Sequence, residues 1–397
     1  MYVLISNVGS TSLKFKLYRM PQEEVLCEAR VERIGSQDGI YRYKNDMNGQ
    51  ERSLPSVPLG SYVDGISMFL EDMCGAERGV LTSVNEVEAV GFKTVVSKGF
   101  NGTVLLTDEV MQGMRDYLFI APVHNSAYIS AIDQFRSILP DTPMIGVFET
   151  SFHSTVPLEN RLYSLPYEWY EKYGLAKNGY HGASFAYVSQ EARRDGDFPR
   201  IIGCHLGGSC SICAIKDGKS YDTSFGFSLQ TGVPHANRCG DTDPYTVPFL
   251  LDQGMSLKEV MEGLEKRGGM LGISGVSNDL REIQEAAEAG NERAQLAINV
   301  FVTAIVRYIG AFYAELGGLD KLVFTGGIGE NSATVRGMVC ERLSHMGVEL
   351  DREANMRTRG SGYISSPDSP VKVQVIAANE ELGIARETYR HLKETGK

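Results

Sequence analysis

The chain has 397 residues, room for two or three domains at about 150 residues each. Hydrophobic residues at 42% and charged residues at 22% exclude a disordered or collagen-like polypeptide. Asp and Glu number 50 against 39 Lys and Arg, and the net charge of -11 argues against nucleic acid as the main partner. A small anionic ligand stays open where cations are focused locally. In chain order, an apolar run at 3–6, a Gly/Ser turn and alternation over 13–18 predict a β-hairpin. The polar stretch 43–57 predicts a surface loop, and apolar spacings of three and four predict a helix over 64–75. Strands are expected at 87–97 and 142–148, and helices at 106–117 and 125–137. A domain boundary near 150–155 separates residues 1–152, with the C-terminal helix 380–397 packing back on them, from a nucleotide-binding and dimerisation domain at 153–379. That domain should hold a helix at 181–194, a hairpin over 201–215 and helices at 244–252, 256–266, 280–288 and 290–317. A strand at 321–325, a helix at 332–346, a loop at 355–372 and a helix at 379–393 complete it. Strands alternating with helices mean an α/β protein.

The most apolar stretch, Leu296–Leu316, is interrupted by Arg307 and Glu315 and reads as a buried or interface helix, with no membrane as partner. Seven scattered cysteines form no disulfide framework, so reduced thiols in the cytoplasm are expected. The N-terminus has no signal-peptide pattern.

Two segments resemble each other: 3–14 (VLISNVGSTSLK) and 201–212 (IIGCHLGGSCSI). Each is an apolar strand, a polar residue (Asn7, His205), a small-residue turn and a returning strand. Four glycine or serine turns are suited to phosphate: Asn7–Lys14, His205–Ser209, Gly272–Arg281 and Thr325–Asn331. The last leaves a strand and enters a helix, which points backbone N–H groups at an anion. None is a P-loop, and no GxGxxG follows the first strand.

These residues resemble the acetate kinase family, within the superfamily of actin, sugar kinases and the Hsp70 ATPase. The motifs run in family order along essentially the whole chain: N-x-G-S-x-S-x-K (7–14), A-P-x-H-N (121–125), V-F-x-T-x-F-H (147–153), Y-H-G-x-S (180–184), H-L-G-G (205–208), R-x-G-D-x-D-P (238–244), G-I-S-G-x-S-x-D-x-R (272–281), T-G-G-I-G-E-N (325–331) and N-E-E-L-x-I-A-R (379–386). The resemblance implies two ribonuclease-H-like (actin-like ATPase) α/β domains with an interdomain cleft, a homodimer, and reversible phosphoryl transfer between ATP and a small carboxylic acid with Mg²⁺. By the same resemblance, Asn7 and Glu380 or its neighbour Glu381 would hold the metal. Ser10, Ser12, Lys14 and the run His205, Leu206, Gly207, Gly208 and Ser209 would meet the phosphates. Asp279, Leu280 and Arg281 would hold the adenosine, with Gly327, Ile328, Gly329, Glu330 and Asn331 beside it. His181 and Arg238 would stabilise the moving phosphoryl group, with Glu149 at the family's catalytic carboxylate position.

Three departures fall on the acid side. Where the family has His-Arg-Val-Val-His-Gly-Gly, this chain reads Phe92-Lys93-Thr94-Val95-Val96-Ser97-Lys98-Gly99, so a substrate-gripping arginine is replaced by Lys93 or Lys98, a point charge without a planar fork. The family's catalytic aspartate is Glu149, one methylene longer. The family's T-P-L-E-G becomes Ser228-Leu229-Gln230-Thr231-Gly232. The acid pocket would be lined by Val95 or Val96, Val123, His124, Tyr180 and Leu229, with His235 and Asn237 adding polar groups. The expected acid is therefore other than acetate. An ordinary acetate or propionate kinase, or a nucleotide-binding homologue with little catalysis, are the alternatives.

Overall fold

The computed structural model describes residues 1–119 and 122–396, with Pro122, Val123 and His124 described by backbone alone. The chain folds as two compact units, Met1–Ser151 with Asn379–Lys397, and Phe152–Ala378. Its strands are β1 (Tyr2–Gly9), β2 (Ser12–Arg19), β3 (Glu24–Glu32), β4 (Ser36–Asn45), β5 (Glu51–Leu59), β6 (Ala89–Thr94), β7 (Thr103–Leu105), β8 (Met144–Phe148), β9 (Arg200–His205), β10 (Ser211–Lys216), β11 (Lys219–Thr223), β12 (Lys321–Thr325), β13 (Gly362–Tyr363) and β14 (Lys372–Val375).

In the first unit the strand order is β5-β4-β3-β2-β1-β6-β8-β7. Strands β1 to β5 form an antiparallel meander, β1, β6 and β8 run parallel, and β7 closes the far edge antiparallel to β8. β1 is central, with Val3, Leu4 and Ile5 fully buried. The C-terminal helix Glu380–Thr395 buries Ile384, Ala385, Thr388 and Leu392 and packs on β1, β6 and β8. Gly91 permits that approach: a Cβ there would lie 2.4 Å from Thr388 Oγ1 and 2.9 Å from Ile5 Cδ1.

The second unit repeats the plan with fewer strands, in the order β11-β10-β9-β12-β14-β13. β9 to β11 form an antiparallel meander, β9, β12 and β14 run parallel, and β13 closes the edge antiparallel to β14. The long helix Glu292–Leu316 turns a stripe of Ala294, Ala297, Ile298, Phe301, Val302, Ile305, Ile309, Phe312 and Leu316 into the core and packs on β9 and β10. Among the described residues it is the one helix long and apolar enough to cross a bilayer, and its stripe is spent on this core.

The expectation of a loop over 43–57 is corrected: residues 51–59 are the edge strand β5, joined to β4 by the turn 46–50. An edge strand exposed on both faces carries no apolar alternation, and its Pro55 and Pro58 are tolerated where the sheet ends. The expected loop 355–372 likewise contains the end of the helix Arg352–Arg357, strand β13 and the first residue of β14. Helical expectations elsewhere shift by a few residues at their ends, most at 181–194, which is helical over Gly182–Glu191, and at 332–346, helical over Ala333–Arg342.

Candidate functional site

In the second unit, β9 and β10 pair so that His205 faces Ser211, and residues 206–210 form the turn between them. The turn is tied down from several sides: Cys210 N–H donates to His235 Nδ1 at 3.0 Å, and Ala236 N–H donates to the Gly208 carbonyl at 3.1 Å. The Thr325–Asn331 segment folds onto it, because Ile328 N–H and Gly329 N–H both donate to the Leu206 carbonyl, at 2.8 and 3.2 Å. Gly326 adopts φ +77°, and a Cβ there would lie 2.7 Å from the Leu206 oxygen, so glycine is required. Gly208 and Gly327, by contrast, face open space: an added Cβ would meet nothing within 4 Å. Residues Gly326–Asn331 form one short helical turn at the end of β12. Its last carbonyls are held by Arg336, which is fully buried and donates to Gly329 O at 2.9 Å, Glu330 O at 2.7 Å and Asn355 Oδ1 at 2.8 Å. Nothing in the local sequence marks Arg336 for that work, since its partners are two backbone carbonyls, of Gly329 and Glu330, and Asn355, 19 residues further on.

A cavity of about 570 Å³ opens beside these turns. It brings together the sequence-predicted Gly207, Gly208, Asp279, Leu280, Arg281, Gly327, Ile328 and Asn331. Residues that sequence reasoning did not assign to it are Met270 and Phe301, which add apolar area, and Cys210, His235, Asn278, Gln284 and Ser332. Asp279 caps the helix Leu280–Glu288, its carboxylate accepting from Arg281 N–H at 2.9 Å, and pairs with the Arg281 guanidinium at 2.5 Å. That pairing and the backbone bond hold the Asp279 carboxyl down at about 2. Asp279→Ala is therefore expected to weaken ATP binding and also to cost about 1 kcal/mol of stability through the lost cap. Asp279→Asn keeps the cap, and titration calorimetry separates the effects. Wild-type ATP affinity in the Asn variant would remove this carboxylate from nucleotide binding.

His181 and His205 stack at 4.0 Å between ring centroids. His181 takes a left-handed backbone (φ +61°) at the start of the helix Gly182–Glu191, an unfavourable conformation for a non-glycine residue, and its Nδ1 lies 2.8 Å from Ser211 Oγ. His205 Nδ1 lies 2.9 Å from Ser184 Oγ. Arg238 is anchored before any substrate arrives: one guanidinium nitrogen donates to Ser209 Oγ at 2.6 Å and another to the Leu229 carbonyl. Its guanidinium carbon is 6.0 Å from the Phe225 ring centroid. Burial lowers the Arg238 pKa from its ordinary value, with Cys210 and Cys239 acting the other way. Tyr180 is buried, with its hydroxyl donating to the Phe227 carbonyl at 2.8 Å. His153 lies beneath this layer: its Nε2–H donates to the Tyr180 carbonyl at 2.9 Å and its Nδ1 accepts from Ser220 Oγ at 2.8 Å. The motif that ends at His153 shows the residue in the sequence, but its job of holding the backbone before His181 appears only in the fold.

In the first unit, the β1–β2 hairpin sets Asn7 opposite Lys14 and Gly9 opposite Ser12, with Ser10 in the turn. Tyr128 fixes this end: its hydroxyl donates to Asn7 Oδ1 at 3.2 Å and accepts from Val8 N–H at 3.3 Å. Burial and the charges of Glu380 and Glu381 push the Tyr128 phenol up. Lys93, on β6, bridges two carboxylates, Glu149 Oε1 at 2.8 Å and Glu380 Oε2 at 2.7 Å. Glu149 follows β8 and is only 4% exposed, and among the described residues its Oε2 has no hydrogen-bond donor. So the first choice for a cation facing the acid is committed to two protein carboxylates, while the other choice, Lys98, is exposed. Val95 and Val96 are buried, Leu229 is half-buried, and the side chains of Val123 and His124 lie outside the described residues.

Glycine turns opening on a cavity, a pre-anchored guanidinium and an α/β sheet with a hairpin–parallel plan define a phosphoryl-transfer enzyme. The model of the Acetokinase family matches residues 2–386, and the chain belongs to that family. It is 44% identical over 394 residues to an acetate kinase of Shouchella clausii, with 98% of each chain covered. It is 42% identical to an acetate kinase of Bacillus subtilis, covering 98% of this chain and 99% of that one. Among solved structures it resembles the Porphyromonas gingivalis acetate kinase (37% identity, TM-score 0.88, covering 98% and 99%). It also resembles a propionate kinase from Francisella tularensis (33% identity, TM-score 0.87, covering 97% and 98%). The protein is a phosphotransferase that acts on a carboxyl group, built from two actin-like ATPase domains, with ATP and a carboxylate as its reactants.

Proposed function

We propose that the acid is a short carboxylate other than acetate, phosphorylated by ATP to give an acyl phosphate and ADP, reversibly and with Mg²⁺. The observation carrying this reading is the acid-side set: Glu149 and Lys93 stand where the family has aspartate and arginine, and Lys93 is tied to Glu149 and Glu380. A carboxylic acid is already ionised at neutral pH, so its oxygen needs no general base to attack phosphorus. The bond from phosphorus to the bridging oxygen breaks, and ADP leaves with that electron pair. The difficulty is charge, since two anions must approach. Arg238 and His181 would meet the oxygens of the moving phosphoryl group with donors already in place. The turns 7–14 and 205–209 would meet the phosphates, and Asp279 to Arg281 would hold the adenosine, with Gly327 to Asn331 beside it.

The donor set fits Mg²⁺: hard oxygens from Asn7, Glu149 and Glu380 or Glu381, with Glu149 Oε2 buried and lacking a donor among the described residues. Bound there, the ion would neutralise phosphate charge. In this reading the protein is a cytoplasmic homodimer. The apolar groove along the helix Glu292–Leu316, lined by Pro234, Leu296, Val300, Ala304 and Tyr308, supports the pairing, and the free cysteines support a reducing compartment.

A second reading, an ordinary acetate or propionate kinase, is favoured by the names of the relatives at 42% and 44% identity and of the propionate kinase structure at 33%. Trapping acyl phosphate as hydroxamate across a panel of short acids decides. A larger or more polar acid with kcat/KM above that of acetate and propionate is expected. If acetate or propionate gives the highest value, the second reading stands. If no acid gives product while ATP binds, the protein is a nucleotide-binding homologue.

A further inference from the structure

The acidic pair in the first unit is already occupied by a cation of the chain's own. Lys93 Nζ sits 2.8 Å from Glu149 and 2.7 Å from Glu380, and the three side chains are 20%, 6% and 17% exposed. The ammonium is a compact point charge, so it can pair with two carboxylates as a small metal ion does, here hydrogen-bonding Glu380 and standing as a plain ion pair to Glu149. The partners come from three distant parts of the chain: the end of β6, the residue after β8 and the first turn of the C-terminal helix. Glu149 and Glu380 with Lys93 carry a net charge of -1. With a divalent ion in its place they would carry none.

We infer that Lys93 is a tethered counter-ion that competes with the divalent cation for Glu149 and Glu380, so that metal loading must displace its ammonium. This rests on the metal reading proposed above. Lys93 lets a buried carboxylate exist without its metal, where an unpaired charge would be costly, and it lowers metal affinity by the work of displacing it. The displaced ammonium is then free for another anion, and the acid's carboxylate is the anion this family handles. Lys93 acts here as a positioning and affinity-setting residue.

Mn²⁺ binding to the nucleotide-free full-length protein, followed by electron paramagnetic resonance of the free ion, tests this without turnover. Lys93→Met is expected to bind Mn²⁺ about tenfold more tightly than wild type, Lys93→Arg to stay within about threefold, and Glu380→Gln to bind more weakly. A residue that merely held the two carboxylates in place would give the opposite sign, since its loss would weaken the metal. Wild-type or weaker Mn²⁺ affinity in Lys93→Met overturns the inference and leaves the metal reading standing. No Mn²⁺ binding by either protein overturns both. Should Lys93→Met fail to fold, Lys93→Gln supplies the same comparison. The melting temperature gives an independent readout: Mn²⁺ is expected to raise it more in the neutral variant than in wild type, and an equal rise counts against competition.

Discussion

Arg238→Ala is expected to lower kcat on the order of a thousandfold while leaving ATP affinity little changed. The guanidinium is fixed by Ser209 Oγ and the Leu229 carbonyl, neither of which belongs to a ligand, so its position is set before the reactants bind. A donor held in advance costs no reorganisation when charge spreads over the equatorial oxygens, and such a group acts on the transition state more than on the bound nucleotide. Arg238 does not line the 570 Å³ cavity where Asp279 to Arg281 would hold the adenosine, so most of the contacts that hold ATP should outlast its loss. Arg238→Lys should recover only part of the rate, because a point charge cannot make both anchoring bonds and also offer a planar fork. Single-turnover measurement at saturating acid isolates the chemical step, and a rate within tenfold of wild type would remove this arginine from the mechanism.

How far the sequence carried depended on where each signal lay. The hairpins β1–β2 and β9–β10 were legible because each pairs an apolar run with a small-residue turn, and the fold gives both the same central place in their sheets. The cavity residues Gly207, Gly208, Asp279 to Arg281, Gly327, Ile328 and Asn331 were legible as motifs that the family resemblance set around one nucleotide, whereas Met270 and Phe301, which add its apolar area, were not. Strands β3 to β5 escaped because their outer faces are charged. Arg30 and Arg42 point outward beside buried Ala29, Val31, Tyr41 and Tyr43, and β5 is too exposed to alternate. The least legible feature was the ion pair between Lys93 and Glu380, 287 residues apart. Residue type suggested a cation for the acid, and only tertiary structure gave that cation two carboxylates of its own. Arg336 is the same kind of case: its value lies in backbone carbonyls that no local pattern announces.

Acid should destabilise this protein through its buried histidines before its ion pairs fail. His153 is 2% exposed and its ring is fully used while neutral, Nε2–H donating to Tyr180 O and Nδ1 accepting from Ser220, so burial drives its pKa down to about 4. His235 behaves alike. Its Nδ1 accepts from Cys210 N–H, and burial with the nearby Arg238 charge holds it at about 3. An unfolded chain protonates these rings near pH 6.5. Above that pH both states are neutral and the stability is complete. As pH falls from 6.5 toward 4, the unfolded state takes up protons that the folded state refuses, and stability is lost. For His153 the loss by pH 4.5 is roughly 2 to 3 kcal/mol. Urea unfolding at pH 7.0 and 4.5 should therefore show a smaller pH-dependent drop in His153→Gln than in wild type, even though the variant starts less stable for want of a good Ser220 contact. Equal drops would mean that His153 charges freely inside the fold.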